Sequence, residues 1–417
     1  MTKTAKKAQS KNKTPSKEYF FSWECIKNNT VNILVIVSAI LLFNYFRTPS
    51  FKIDTTTKLP QDQQMGKIPD FNDEYKMITV FFPWFEIFNM DISDMDLSGL
   101  GDKIKYANFD SDSIFPSADK LPDGFNPKVL LENGKNPGLG VRDLHAKGIT
   151  GKGITVAILD NGFNINHQEI KDNLVHYEIV GRTFSHFHGS ATSSLLCGKT
   201  IGVAPEAKLV YFATGFTPTT ENERFDITND ITALKKILNM NKRLPKDKRI
   251  SAVSISRGWY NDNKRFSEFK DVVDKLEKSG VLVLAVGAQY YYGDIANIGL
   301  VDRTINADPD DVKSYKAKEG HECDTGDKCL LAPSGGRTTA GNMAPDQYIY
   351  WGKGGLSWVA PYIVGTWALA KQVYPDIKPK EFFEIARETG YRLDNQRGGY
   401  NIVIQPTKII EYLQNKN

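Results

Sequence analysis

From about Asn136 onward the apolar residues alternate between two periods, and the chain reads as strands interleaved with helices. "GITVAILD" is a short β-rich run that ends on a carboxylate, and "ATSSLLCG" has a helical texture. "AKLVYFA", "ISAVSIS" and "VLVLAVG" are strand-like, whereas "DITALKKILNM" and "FKDVVDKLEKSG" repeat at helical spacing, the latter stopped by glycine. Two final helices are expected to begin near Leu356 and Lys378. This alternation predicts an α/β fold with a largely parallel sheet and helices on both faces. Functional groups in such folds collect at the carboxyl ends of strands.

The first third of the chain has another texture. Residues 30–46, "TVNILVIVSAILLFNYF", form an uncharged apolar segment at the lower length limit for crossing a bilayer. A cleaved signal peptide is the competing reading; the long charged region ahead and the lack of an A-x-A-like site favour an uncleaved anchor. Residues 1–29 form a lysine-rich tail, and lysines on that side predict a cytoplasmic N-terminus with everything from Arg47 onward across the membrane. Residues 47–134 are Asp-rich and turn-rich around one apolar block, "MITVFFPWFEIF", and read either as a prosegment or as an extension lying on the domain that follows. The remaining residues, 135–417, are long enough to bury a sizeable core.

The net charge of +4 comes mostly from the basic tail, so a nucleic-acid partner is not expected once the apolar segment is taken into account. Four cysteines are too few for a disulfide scaffold. Cys197 reads as a small buried hydrophobe, while Cys323 and Cys329 in "HECDTGDKC" are near enough in sequence to bridge, although spacing alone does not establish the geometry.

Three residues stand out as chemistry. Asp160 closes "VAILDNG" just before a turn, His188 leads "HFHGSATSSLLCG" into a helix, and Ser357 sits among glycines in "WGKGGLSWVAPYIVG". Alone, each has a bland reading: a turn-capping Asp, a packed His, an ordinary Ser. Together they are the groups needed to activate a hydroxyl, because an imidazole must take its proton and a carboxylate must hold the imidazole's tautomer. A helix beginning near Ser357 would point its positive end at a developing oxyanion, with Pro361 expected in its first turn.

"VAILDNG", "HGSATSSLLCG" with "IGVAPEAKLV", and "GLSWVAPYIVG" resemble, in order, the three signature blocks of subtilases, the subtilisin-like serine proteases. The resemblance runs over roughly residues 138 to 415, and the "GGLSW" version is similar to a branch common in Gram-positive bacteria. It implies a subtilisin-like fold and a serine endopeptidase, with Asp160 as orienting carboxylate, His188 as general base and Ser357 as nucleophile. It also implies that Ser256, Arg257 and Gly258 of "SISRGW" pair with an extended peptide substrate. Two positions depart from the family. Gln289 stands where an asparagine usually donates to the oxyanion, so Gln289 together with the Ser357 backbone N–H is the expected oxyanion hole. Arg257 replaces a usual apolar residue; it would attract acidic substrate side chains or restrict the cleft, but an arginine turned to solvent or paired locally is the favoured reading.

Other signals are set aside. The Gly-Lys-Thr of "SSLLCGKT" lacks the first glycine of a phosphate loop, Ser193 standing in its place. His186 and His188 have no further His or Cys cluster to complete a metal site, so no metal and no cofactor are expected, though calcium bound by loop oxygens leaves little trace in sequence. A catalytically silent subtilase-like module that only binds peptides is the alternative function, with Gln289 its main support. An esterase built on the same three residues is a further alternative, disfavoured by the peptide-pairing strand.

Overall fold

The computed structural model describes residues 51–54, 86–215, 226–259, 261, 263–317, 329–394 and 400–416. The basic tail, the apolar segment 30–46 and Cys323 lie outside the described residues. No helix among the described residues is long and apolar enough to cross a membrane.

The centre is a five-stranded sheet ordered Leu174–Ile179, Lys208–Ala213, Thr155–Asp160, Ile250–Ile255, Leu282–Ala285, with every neighbouring pair parallel. Its strands are apolar on both sides because both faces are covered. Along Thr155–Asp160, Val156 and Ile158 enter one buried cluster with Val359, Ile363 and Val364 of the helix Leu356–Val373. Ala157 and Leu159 enter the opposite cluster with Ile231 and Leu234 of Thr228–Arg243 and Phe269 and Val273 of Phe266–Lys278. The period-two alternation of a strand thus feeds two helical layers, as the sequence predicts.

A second sheet, ordered Tyr391–Asp394, Tyr400–Val403, Cys329–Gly335, Asn297–Arg303, Tyr315–Ala317, mixes parallel and antiparallel pairs. The third has four strands, Glu86–Ile87, Asn108–Asp110, Tyr348–Trp351 and Arg337–Ala340 in that order. It joins residues from the N-terminal extension to strands that lead toward Ser357. Cys197 is buried and free, its thiol pushed up to about 12 by burial. Cys329 is disulfide-bonded.

Candidate active site

Asp160 is the last residue of the central strand and is almost wholly buried, at 1% exposure. Its backbone carbonyl accepts from Thr214 N–H at 2.8 Å, fixing the strand end, while its carboxylate accepts from Asn161 N–H at 2.7 Å and from the Thr192 hydroxyl at 3.1 Å. His188 Nδ1–H donates to Oδ1 at 2.8 Å and lies 3.0 Å from Oδ2. Burial alone would raise the Asp160 pKa. The charge and hydrogen bond of His188, then the charge of Arg257 and the Asn161 N–H, outweigh burial and hold the carboxyl below its ordinary range.

Two local features aim His188. His186 caps the helix Phe187–Cys197, its Nδ1 accepting the His188 backbone N–H at 3.1 Å. Gly189 then lets the helix press against the loop after Asp160: a Cβ there would lie 2.6 Å from the Asn161 carbonyl and 2.5 Å from the Tyr211 hydroxyl. Any larger residue would push the helix, and the imidazole with it, away from the carboxylate. With Nδ1–H on the carboxylate, the tautomer that follows places the lone pair on Nε2.

Ser357 is half-buried in the first turn of Leu356–Val373, whose N-cap is Gly355. The following residue, Trp358, packs on His188 with ring centroids 5.4 Å apart. Asp160 and His188 are therefore in direct hydrogen bond, and Ser357 is the chain neighbour of a ring packed on that imidazole. The Ser357 hydroxyl donates to the Ser256 carbonyl at 3.2 Å, and the Ser256 hydroxyl donates back to the Ser357 carbonyl at 2.7 Å. Pro361 lies beyond the first turn, contrary to the sequence expectation. It is four residues after Ser357, so the N–H it lacks is the one that would have bonded to the Ser357 carbonyl. Ser256 supplies the missing donor.

The remaining predicted positions separate. Gly258 is half-buried and packs where no side chain fits, since a Cβ would meet the Val286 carbonyl at 1.6 Å. Beside it, the Arg257 carbonyl accepts from Val286 N–H at 3.0 Å. Gln289 opens the short helix Gln289–Tyr292, is half-buried, and makes no side-chain hydrogen bond among the described residues. The Arg257 side chain, 3% exposed, is turned inward and ion-paired with Asp230, with Nε 3.2 Å from Oδ2 and Nη2 on Oδ1 and on the Thr214 hydroxyl. Of the readings of Arg257, local pairing is the one its side chain adopts, turned away from solvent. Asp230, which sequence reasoning missed, sits in an ordinary amphipathic helix; no local signal marks it as an arginine's partner. No His, Cys, Asp or Glu cluster among the described residues could hold a metal ion.

A buried carboxylate at the end of a central parallel strand, hydrogen-bonded to a half-buried imidazole at a helix start, lies at the carboxyl end of the sheet, where α/β folds place their functional groups. A sequence profile of the subtilase family, peptidase S8, matches residues 151–398, and the chain belongs to that family. Among curated proteins, subtilisin-like protease 2 of Trichophyton equinum is 29% identical over 142 residues, covering 33% of this chain and 31% of that protein. Subtilisin-like protease 2 of Arthroderma benhamiae is 30% identical over the same length, covering 33% and 32%. The chain thus matches about a third of the length of these relatives. A solved chain from work on the structural basis of subtilase cytotoxin SubAB assembly superposes with a TM-score of 0.51 at 14% identity, covering 67% of this chain and 96% of that one. That likeness is one of fold.

Proposed function

We propose that the protein is a membrane-anchored extracellular serine endopeptidase. The observation that carries this reading is the Asp160–His188 hydrogen bond at the foot of the helix that bears Ser357. In this reading the Ser357 hydroxyl attacks a peptide carbonyl as His188 Nε2 takes its proton. Asp160 stabilises the imidazolium, which then protonates the leaving amine. Water, deprotonated by the same imidazole, releases the acyl group. The Ser357 N–H, at the helix N-terminus, and the unengaged Gln289 amide receive the oxyanion. Ser256, Arg257 and Gly258 offer main-chain groups to an extended substrate, Gly258 because its backbone makes no hydrogen bond among the described residues.

Anchoring rests on residues 30–46 and the lysines ahead of them, and the Gram-positive branch rests on the "GGLSW" letters. A silent peptide-binding module is the second reading, favoured by Gln289 in place of the family's asparagine. Incubating the full chain with an unstructured polypeptide separates the two. Cleavage that disappears in Ser357→Ala supports the protease; binding without cleavage by folded wild type supports the module. For the topology, a protease added to intact cells is expected to digest residues 86–416, and their survival until lysis contradicts it.

A further inference from the structure

Residues 86–134 share a sheet and a core with the strands that lead to Ser357. Asn108–Asp110 pairs antiparallel with Ile349–Trp351, and Glu86–Ile87 adds in parallel outside it. Ile87, Ile104, Phe109, Phe125 and Leu130 are buried in one cluster closed by Tyr350, with Phe109 and Tyr350 centroids 5.0 Å apart. Side chains lock the same seam: Gln347 Nε2 donates to Asp112 at 2.9 Å and the Thr338 hydroxyl to the Leu131 carbonyl at 2.7 Å. Gly352 approaches the segment so closely that a Cβ would lie 2.6 Å from the Tyr106 carbonyl carbon. Removing this segment would expose Tyr350 and leave the strand Tyr348–Trp351, which ends only a few residues before Ser357, paired on one edge only, with Arg337–Ala340.

A second contact reaches the imidazole itself. Phe88, 3% exposed, packs edge-on against Trp351 at 5.7 Å; Trp351 lies 5.4 Å from Trp358, and Trp358 lies 5.4 Å from His188. Ala191 and Leu195 of the helix that starts beside His188 belong to the same buried cluster. A continuous wall of rings therefore runs from the extension to the back of the imidazole, and closely packed rings transmit a vacancy as a shift of their neighbours.

We propose that residues 86–110 are a permanent part of the active-site scaffold, with Phe88 a positioning residue for Trp358 and His188, so that any processing that yields active protein cuts N-terminal to Glu86. This rests on the protease reading for its activity readout but not for its structural one. In full-length protein, Phe88→Ala is expected to slow acylation of Ser357 by a fluorophosphonate about tenfold, to leave KM for a peptide nearly unchanged, and to speed amide exchange in Tyr348–Trp351; Phe88→Leu restores most of the rate. N-terminal sequencing of the labelled species is expected to find Glu86–Asp110 retained. Wild-type acylation and exchange in a folded Phe88→Ala variant, or an active species that begins after Asp110, overturns the proposal. If wild type itself takes no label, the protease reading fails, and exchange in Tyr348–Trp351 of wild type and Phe88→Ala decides the scaffold alone; should Phe88→Ala not fold, the milder truncation Phe88→Val carries the comparison, with slowed acylation and faster exchange expected and wild-type values overturning the proposal.

Discussion

The Ser256 hydroxyl donates to the Ser357 carbonyl at 2.7 Å, and it does so where Pro361 withholds the helix's own donor. The helix that carries the candidate nucleophile is thus tied to the end of the neighbouring strand by a bond that takes the place of a missing helical one. Ser357 returns the contact through its own hydroxyl, so the two serines hold each other reciprocally.

Ser256→Ala is expected to leave that part-buried carbonyl without its partner, lowering stability by about 0.5–1.5 kcal/mol, the net worth of a typical hydrogen bond. Pro361→Ala returns an N–H to the helix. In a double-mutant cycle the Ser256→Ala penalty should therefore shrink in the Pro361→Ala background. Strictly additive effects on chemical denaturation would show that the two residues do not serve one carbonyl.

The inward-turned Arg257 makes a different prediction. Arg257→Leu restores the apolar residue usual in the family but strands the Asp230 carboxylate, 0% exposed, in the interior, and should cost about 3–5 kcal/mol. Replacing both, as Arg257→Leu with Asp230→Leu, should recover most of that loss. A mild single variant, or a double variant no more stable than the single, would remove the buried pair from the account.

The Gln289 side chain makes no hydrogen bond among the described residues. If it donates to the oxyanion, Gln289→Ala lowers kcat by on the order of 10²- to 10³-fold and leaves KM nearly constant. Steady-state kinetics with one peptide substrate measures this directly; an unchanged kcat assigns the oxyanion to other donors.

Asp160 links the site to acid stability. Its carboxyl is held below the ordinary range, so its contribution is fully present above the unfolded value, about 3.9, and is lost as pH falls through the lower folded value. Asp160→Asn lacks that contribution. The gap in unfolding midpoint between wild type and variant should be widest above about pH 4 and narrow below it. The same variant should lose activity on the order of 10⁴-fold, because the amide no longer fixes the catalytic tautomer. A midpoint gap that stays constant with pH would contradict the assignment.

Much of the central domain was legible because its signals are local. "GITVAILD" becomes Thr155–Asp160, "FKDVVDKLEKSG" becomes most of Phe266–Lys278, and two helices start at Leu356 and Pro379, beside the expected positions, with a further one, Pro406–Lys416, after them. Buried parallel strands are continuous apolar runs, and amphipathic helices repeat at a fixed spacing. What stayed hidden depends on partners distant in sequence. Nothing in "FNPKVL" or "YANFD" announces that Asn108–Asp110 pairs with Ile349–Trp351, and nothing beside Arg257 points to Asp230. Pro361 was misplaced although its helix starts where expected: it is accommodated beyond the first turn because Ser256, distant in sequence, donates to the carbonyl the proline leaves unpaired. Asp160 and His188 were found by their place at a strand end and a helix start, yet Thr192 and Gly189, which hold them together, read only as small helix residues.

The central claim is that Ser357 is a nucleophile served by His188 and Asp160. A fluorophosphonate reacts with a serine only where its hydroxyl is activated, so the decisive measurement is labelling of folded wild type, Ser357→Ala and His188→Ala, followed by mass mapping of the adduct. The account predicts one adduct, on Ser357, absent from Ser357→Ala and strongly slowed in His188→Ala. An adduct on another residue, or none on folded wild-type protein, would contradict it.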